Sequence, residues 1–158
     1  MTRPAVPLRR LHRFALVGVG GAAGGMLRYA LTSLVPDRPG AFPWTTFAIN
    51  AIGSFALGLL VAGFVARRAA PAWVRPALGT GLLGGFTTFS AYAHAFDLLA
   101  TGQHEGLALA YVVGSLAVGV LGATLGVALG VRLPTRPGPP PSGSASSARP
   151  STEEAAAA

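Results

Sequence analysis

Four stretches of the chain are nearly free of charged side chains, and each is long enough to cross a lipid bilayer. They run from Phe14 to Val35, from Trp44 to Ala66, from Ala77 to about Leu99 and from Gly106 to Val131. A helix needs about 20 mainly apolar residues to span the hydrocarbon core of a bilayer. Short loops rich in proline, glycine or arginine separate the stretches. The pattern therefore predicts an all-α membrane protein with four transmembrane helices.

The third stretch carries a conflicting signal at its centre, where residues Gly79–Tyr92 read GTGLLGGFTTFSAY. Each glycine costs about 1 kcal/mol of helix propensity relative to alanine. We predict that this helix is broken around Gly84–Gly85 and Thr87–Thr88. A break frees carbonyl oxygens, which suit a hard cation such as Na⁺, and N–H groups, which suit an anion. The alternative is a glycine-rich packing face with hydroxyls bonded to the preceding turn.

Polar residues in the second and fourth stretches recur on single helix faces. Thr46, Asn50 and Ser54 are spaced four residues apart, and so are Tyr111 and Ser115. An asparagine in the hydrocarbon region is costly unless it is hydrogen-bonded. These side chains therefore either bond neighbouring helices to one another or form a polar track that replaces the water around a permeating ion.

Small residues form stripes that favour close helix contact. The first stretch contains the pairs Gly20/Gly24 and Gly21/Gly25, and the fourth contains Gly122, Gly126 and Gly130. Arg28 is the only charged residue of the first stretch. It either extends its guanidinium toward the membrane surface or serves as a buried structural partner.

The composition excludes several functional classes. Only 11% of the residues are charged, against about 25% in soluble domains. The chain has no cysteine, which excludes disulfides and thiolate metal sites. It shows no phosphate-binding loop, histidine–cysteine cluster or nucleophile–base pair, and we predict that it is not an enzyme. The net charge of +7 comes from arginines that flank apolar stretches rather than from an aromatic-interleaved basic patch, which argues against nucleic-acid binding.

The arginines are distributed unequally between the two sides of the predicted membrane domain. Arg38 lies on one side, with Arg28 leaning toward it, whereas ten lie on the side of both termini. Those ten are Arg3, Arg9, Arg10, Arg13, Arg67, Arg68, Arg75, Arg132, Arg136 and Arg149. The positive-inside rule then predicts a multi-pass protein of the plasma membrane with both termini in the cytoplasm.

The sequence divides into three regions. Residues 1–13 form a basic N-terminal segment, and residues 14–131 form the membrane domain. Residues 132–158 are rich in proline, serine and alanine. This composition cannot bury an apolar core, so we predict a disordered tail.

Three segments resemble the signature segments of the Fluc/CrcB fluoride channels. They are GVGGAAGGMLRY (Gly18–Tyr29), TTFAINAIGSFALG (Thr45–Gly58) and GTGLLGGFTTFSAY (Gly79–Tyr92). The resemblance spans roughly Phe14 to Val131. It implies antiparallel dimers of four-helix subunits with two fluoride pores and a structural Na⁺ between the subunits. It also implies a fluoride-selective channel subunit that exports cytoplasmic fluoride by passive conduction and so gives fluoride resistance.

The resemblance also assigns roles to individual residues. The backbone carbonyls of Gly84 and Thr87 would hold Na⁺. Asn50 would donate its amide N–H to fluoride, and Phe89 would present its positive ring edge. The remaining members of the implied fluoride pathway are Thr46, Ser90, Tyr92, Tyr111 and Ser115, and Arg28 is implied as structural.

Two features of this chain differ from what a homodimeric channel of this family would have. Tyr92 stands where the family usually has a second phenylalanine, which puts conduction past this ring in doubt. The arginine bias is stronger than a chain that inserts in both orientations needs, so we expect a heterodimer with a paralogous subunit of opposite topology. A non-conducting partner or scaffold subunit is the alternative function. A small multidrug exporter is disfavoured, because that class depends on an acidic residue in its first helix, and Phe14–Val35 contains none.

Overall fold

The computed structural model describes residues 8–65 and 70–133, and every regular element within them is helical. The described residues contain three helices that are long and apolar enough to cross a membrane. The elements in chain order are α1 (Leu8–Leu34), α2 (Trp44–Leu60, continued by Val61–Val65), α3 (Arg75–Leu83, completed by Gly84–Phe86), α4 (Phe89–Thr101) and α5 (Glu105–Gly130). Most of the predicted tail lies outside the described residues, as do Arg67 and Arg68.

The helix boundaries follow local chemistry, with one clear difference from the sequence pattern. Helix α1 begins at Leu8 rather than Phe14, since the basic residues that precede Phe14 have good helix propensity. The wider, π-helical winding of Arg75–Leu83 was also not foreseen. This winding is rare and is found mostly in short segments near functional sites.

Helices α1 and α3 pack through the glycine stripe of α1. A Cβ atom at Gly20 would overlap the carbonyl oxygen of Ala77, and one at Gly24 would overlap that of Leu82. The prediction of a close contact along Gly20/Gly24 is therefore confirmed. Gly25 has open space around it, so the predicted second stripe is only partly used.

Helices α2 and α5 form the other closely packed pair. A Cβ atom at Gly126 would overlap the carbonyl oxygen of Phe55, and one at Gly58 would overlap that of Ala123. The backbones approach each other where the predicted α5 stripe lies, and little side-chain volume is needed between them. This contact aligns the polar face of α2 with that of α5.

The loop between α1 and α2 anchors the start of α2 through Asp37. Its carboxylate accepts hydrogen bonds from the backbone N–H groups of Thr45 (2.8 Å) and Thr46 (3.1 Å), and from the Thr46 hydroxyl (2.8 Å). These N–H groups have no partner within the helix, and the negative charge of the carboxylate interacts favourably with the positive end of the helix dipole. Asp37 thus acts as the N-terminal cap of α2 from outside the helix.

Candidate functional site

The helical path from α3 to α4 is interrupted at two threonines. Thr87 (φ −75°, ψ 153°) and Thr88 (φ −149°, ψ 125°) are both extended. The break was predicted around Gly84–Gly85 and Thr87–Thr88; the structure has it at the two threonines, and the preceding segment Gly84–Phe86 is helical. The extended residues are the β-branched ones, and the Thr88 hydroxyl starts α4 by accepting a hydrogen bond from the Ala91 N–H at 3.2 Å.

Asn50 of α2 holds the interrupted backbone in place. Its Oδ1 accepts the Thr88 N–H at 2.9 Å, and its Nδ2 donates to the Thr88 carbonyl at 3.2 Å. The side-chain amide therefore pairs with Thr88 as a neighbouring strand would. One turn away on α2, a Cβ atom at Gly53 would overlap the Thr87 methyl group, so glycine is needed for this approach.

The interruption deprives backbone carbonyl groups of the N–H partners that a continuous helix would give them, and two of these can be followed through the hydrogen bonds of Thr88 and Ala91. In a continuous α-helix the N–H of residue i bonds to the carbonyl of residue i−4. The Thr88 N–H would bond to Gly84, but it is taken by Asn50. The Ala91 N–H would bond to Thr87, but it is taken by the Thr88 hydroxyl. The carbonyls of Gly85 and Phe86 lose their helical partners as well, and that of Gly85 accepts the hydrogen bond of Arg28. Gly84 and Thr87, the residues that the sequence resemblance assigns to a cation, are therefore among the freed carbonyls.

The interruption lies on the wall of a groove with a volume of about 530 Å³. None of the described residues that line it carries a charge. The groove brings together six of the predicted site residues, namely Asn50, Gly84, Thr87, Phe89, Tyr92 and Ser115. Phe89 is 80% exposed, although it is a large apolar ring at the start of α4.

A row of aromatic rings runs from the groove into the core. The ring centroids of Phe89 and Tyr92 lie 5.7 Å apart, and those of Tyr92 and Tyr111 lie 5.2 Å apart. Phe42, from the loop before α2, meets Tyr111 edge-on at 5.5 Å. Offset and edge-on contacts at these distances are the favourable ones for aromatic pairs. Tyr92 therefore stands between the groove and the buried ring of Tyr111.

Two buried hydroxyls beside this row lack hydrogen-bond partners. The Tyr111 phenol and the Ser115 hydroxyl lie one turn apart on α5 and interact with each other, but within the part of the chain that the structure describes neither has a hydrogen bond of good geometry. Tyr111 is also fully buried. Leaving a buried polar group unpaired costs about 1–3 kcal/mol. Ser115 lines the groove, so its hydroxyl can bind a ligand there, whereas the Tyr111 hydroxyl lies behind the ring of Tyr92.

Four predicted site residues do not line the groove. One is Tyr111, which is fully buried behind Tyr92. Thr46 is bound to Asp37 through its hydroxyl and lines a different cavity. Ser90 is exposed, and its hydroxyl lies 3.1 Å from that of Thr88 in the first turn of α4. The Nε of Arg28 donates a long, 3.4 Å hydrogen bond to the Gly85 carbonyl. Arg28 thus contacts the helix next to the interruption and does not line the groove.

The sequence reading missed the roles of Asp37 and Thr80. Asp37 precedes α2 by several residues and Pro43 stands between them, so the usual cap spacing is absent. Thr80 lines the groove but lies in the π-helical part of α3, where a reading of ideal helix faces does not apply. For Asp37, the position of an acidic residue in the proline-rich loop just before α2 is a sequence signal for a helix cap. Thr80 has no comparable signal.

The chain is similar in sequence to a known protein family and to several known proteins. Residues 15–127 match the family described as CrcB-like protein, Camphor Resistance (CrcB). A fluoride-specific ion channel FluC of Thermus thermophilus is 44% identical over 121 residues, which cover 76% of this chain and 96% of that protein.

Two further relatives carry similar names. The fluoride-specific ion channel FluC 2 of Streptomyces avermitilis is 44% identical over 102 residues, covering 65% of this chain and 65% of that protein. The fluoride-specific ion channel FluC 1 of Mycobacterium bovis is 37% identical over 124 residues, covering 78% of this chain and 94% of that protein.

Proposed function

Since the chain belongs to the CrcB-like family, we propose that it is a subunit of a fluoride-selective channel of the plasma membrane. Fluoride leaves the cytoplasm through it by passive conduction, and the cell thereby resists fluoride. The observation that carries the proposal is the uncharged groove, where an asparagine amide, a serine hydroxyl and two aromatic rings meet beside the interrupted helix.

The groove supplies the interactions that a small, strongly hydrated anion needs. Of the two amide N–H groups of Asn50, one is used on Thr88 and the other remains to donate. The hydroxyl of Ser115 donates in the same way, and the ring edges of Phe89 and Tyr92 carry partial positive charge. Several weak donors replace water without holding the ion as tightly as a fixed cation would.

The same set of donors favours fluoride over chloride. All of them can contact a small anion at once, whereas the larger radius of chloride would force the rings of Phe89 and Tyr92 apart. Separating the rings would also disturb the contact between Tyr92 and Tyr111. Selectivity in this account comes from the number of donors that reach the ion together.

A structural Na⁺ is part of the proposal. The carbonyl oxygens of Gly84 and Thr87 are released by the hydrogen bonds of Thr88 and Ala91, and oxygen ligands of this kind suit a hard cation. The donor set therefore fits Na⁺. When bound, the ion would supply positive charge to a region where bare carbonyl groups are costly.

The exposure of the groove supports a dimer. The ring of Phe89 is 80% exposed beside the groove, where a partner surface could cover both. An antiparallel partner would cover the groove and add its own pair of carbonyls to the cation site. In that assembly α3 and α4 together act as a fourth, broken transmembrane span. The arginine bias supports a heterodimer with a paralogous subunit of opposite topology, and it supports a cytoplasmic location for both termini of this chain.

A non-conducting partner subunit is the second candidate. The contact between Tyr92 and Tyr111, where the family usually has phenylalanine at the first of these positions, is the observation that favours it. The tyrosine hydroxyl makes that wall of the groove more polar, and the partner subunit's own rings would then line the conducting pore.

Growth of a bacterial host that lacks fluoride export tests the function directly. The chain is expressed alone and with a paralogous subunit from the same genome, beside an empty vector. Restored growth in fluoride supports a channel subunit. Absence of growth in both arrangements, with both proteins present in the membrane, would contradict it. If the pair of subunits still restores growth when this chain carries Asn50→Ala and Phe89→Ile, the non-conducting role is favoured.

A further inference from the structure

The end of the molecule where α2 begins carries the carboxylate of Asp37 beside the first turn of that helix. We propose that this carboxylate occupies the hydrogen-bond donors at the start of α2, so that fluoride leaving the groove is not held there and is released. The identity of the ion and the direction of its release rest on the proposed function. The occupation of the donors does not.

Every N–H group in the first turn of α2 already has an acceptor. The first and last of the four bond to backbone carbonyls of the preceding loop at 2.9 and 3.0 Å. The middle two, of Thr45 and Thr46, bond to Asp37, which also accepts the Thr46 hydroxyl. Removal of the carboxylate would therefore free two N–H groups and a hydroxyl at the positive end of a helix, where an anion is favoured.

These occupied donors lie one helical turn from free ones. Asn50 lines the groove and has one amide N–H left to donate. Thr46, four residues earlier on the same face of α2, lines a separate cavity of about 280 Å³ together with Asp37. Helix α4 borders both spaces, with Tyr92 in the groove and Ala91 in the cavity. An ion that moves from the groove toward the start of α2 thus passes from free donors to occupied ones.

The charge of Asp37 is not neutralised by a cation among the residues that the structure describes. Arg38 and His94 line the same cavity and are exposed, but the partners of the carboxylate are the three donors of α2. Asp37 is half-buried, so water and salt screen its charge less than that of an exposed side chain. The carboxylate therefore also repels an anion that enters the cavity.

The connection between α1 and α2 holds Asp37 in this position. The Thr45 hydroxyl donates to the Val35 carbonyl at 2.7 Å, which joins the start of α2 to the end of α1. Three prolines in the connection restrict its backbone. A carboxylate tethered in this way competes with a free ion at a high effective concentration. Fluoride would have to displace it in order to bind the same donors.

A matched control lies at the same end of the molecule. Among the described residues, the acidic side chains lie at this end, and they are Asp37, Asp97 and Glu105. The opposite, basic end carries Arg10, Arg13, Arg75 and Arg132. Asp97 is exposed and lines neither the groove nor the cavity. Asp97→Asn therefore removes the same charge from the same end without freeing donors of α2.

Fluoride binding is measured in two ways on the complex with its native partner. In detergent, the unfolding midpoint is recorded while sodium fluoride replaces sodium gluconate, so that Na⁺ and ionic strength stay constant. In liposomes, fluoride efflux is recorded over a range of fluoride concentrations, which gives a half-saturating concentration and a maximal rate. The chains compared are the unmodified one, Asp37→Asn and Asp97→Asn. The asparagine amide keeps the shape of the carboxylate but has no charge and one acceptor oxygen fewer.

We expect Asp37→Asn to bind fluoride more tightly and to release it more slowly. Fluoride should stabilise this variant at a several-fold lower concentration than the unmodified chain. The half-saturating concentration and the maximal rate of efflux should both fall several-fold, whereas Asp97→Asn should match the unmodified chain. Loss of a helix cap alone would lower the unfolding midpoint at every fluoride concentration without tightening the binding.

A second substitution guards against a folding defect of the first. Asp37→Ser also lacks the charge and keeps a smaller acceptor, and the same tightening is required of it. Unchanged or weaker fluoride binding in the Asp37 variants would overturn the proposal. Equal tightening in Asp97→Asn would overturn it as well, because the effect would then belong to the charge of this end and not to the donors of α2.

The outcomes separate this inference from the proposed function. If Asp37→Asn binds fluoride more tightly in detergent while no form of the complex conducts it, the role of Asp37 is retained and the channel is lost. If the complex conducts fluoride and Asp37→Asn shows no tightening, the channel is retained and the role of Asp37 is lost.

Discussion

Asn50 combines an observed structural contact with a proposed role in ion binding. Its carbonyl oxygen and one amide N–H are used on the backbone of Thr88, which leaves one N–H for an ion. Asn50→Ala would therefore remove a donor and also release Thr88. Loss of function in that variant has two causes, and Phe89, whose exposed ring takes no part in these hydrogen bonds, gives the cleaner test.

Tyr111→Phe separates binding from stability. Removal of a buried hydroxyl that has no partner should leave the free energy of unfolding unchanged or raise it by about 1 kcal/mol. Fluoride flux should fall, because the resemblance assigns this hydroxyl to the fluoride pathway next to Ser115, although it lies behind Tyr92 in this structure. Thermal unfolding in detergent and fluoride efflux from liposomes are measured side by side. Tyr29→Phe, at a 73% exposed position, is the control. A clear loss of stability with full flux would show that the Tyr111 hydroxyl serves packing alone.

At the scale of the elements, glycine contacts set the positions of the helices around the groove. The backbone of α3 lies directly against α1, because Gly20 and Gly24 have no side chains to hold it away. The contact between α2 and α5 is of the same kind at Gly58 and Gly126. Where α2 meets the interruption is set by a third glycine contact, that of Gly53 with the Thr87 methyl group, next to the hydrogen bonds of Asn50.

Gly24→Ala should destabilise the protein because the new methyl group would overlap the Leu82 carbonyl. Overpacking of this kind costs about 1–3 kcal/mol. Gly25→Ala adds the same methyl group in open space and should be tolerated. The midpoint of thermal unfolding in detergent distinguishes the two variants. Equal midpoints would contradict the packing of α1 on α3.

Removal of Na⁺ should destabilise the assembly, since a bound ion stabilises only the folded complex. At a hundredfold excess over its dissociation constant, a ligand contributes about 2.7 kcal/mol. The unfolding midpoint is measured in Na⁺ and in N-methylglucamine at equal ionic strength. A lower midpoint in the organic cation is expected. Identical midpoints over a wide range of Na⁺ concentration would contradict a cation site at Gly84 and Thr87.

The elements and most of the groove could be predicted from the sequence, because both depend on local pattern. Apolar runs gave the helices, and Asn50, Phe89 and Ser115 do line one groove. The pattern located the interruption within Gly84–Thr88 but did not show which of these residues leave the helix. Glycine propensity pointed to Gly84–Gly85, whereas the hydrogen bonds from Asn50 select Thr88. The cap on α2 was missed for the same reason, since Asp37 acts through a tertiary contact.

At the scale of the whole molecule, the separation of charge predicts a fixed orientation in the membrane. Single cysteines at Ala41 and Thr101 should react with an impermeant thiol reagent from outside the cell. Both positions are exposed and lie in the connections that contain Asp37 and Glu105. Ala72→Cys, at the basic end, should react only after permeabilisation. Gly40 is less suitable as a reporter, because its φ of +72° strains any other residue. Labelling of Ala41→Cys and Thr101→Cys from the cytoplasmic side alone would reverse the proposed topology.

Anion efflux from liposomes tests the central claim, that fluoride crosses along the groove. The complex is purified with the subunit that accompanies it in its native membrane, and the equivalent residues of that partner are silenced. Fluoride and chloride efflux are recorded for the unmodified chain, for Asn50→Ala and for Phe89→Ile, with Phe96→Ile on the same helix as the control. Empty liposomes give the background.

For the unmodified chain and for Phe96→Ile we expect rapid fluoride efflux, with chloride remaining inside the liposomes. For Phe89→Ile we expect a loss of at least about tenfold, which corresponds to about 1.4 kcal/mol on the barrier. Asn50→Ala should abolish the flux. Undiminished fluoride efflux in both groove variants, or chloride efflux as fast as that of fluoride, would contradict a selective pathway along this groove.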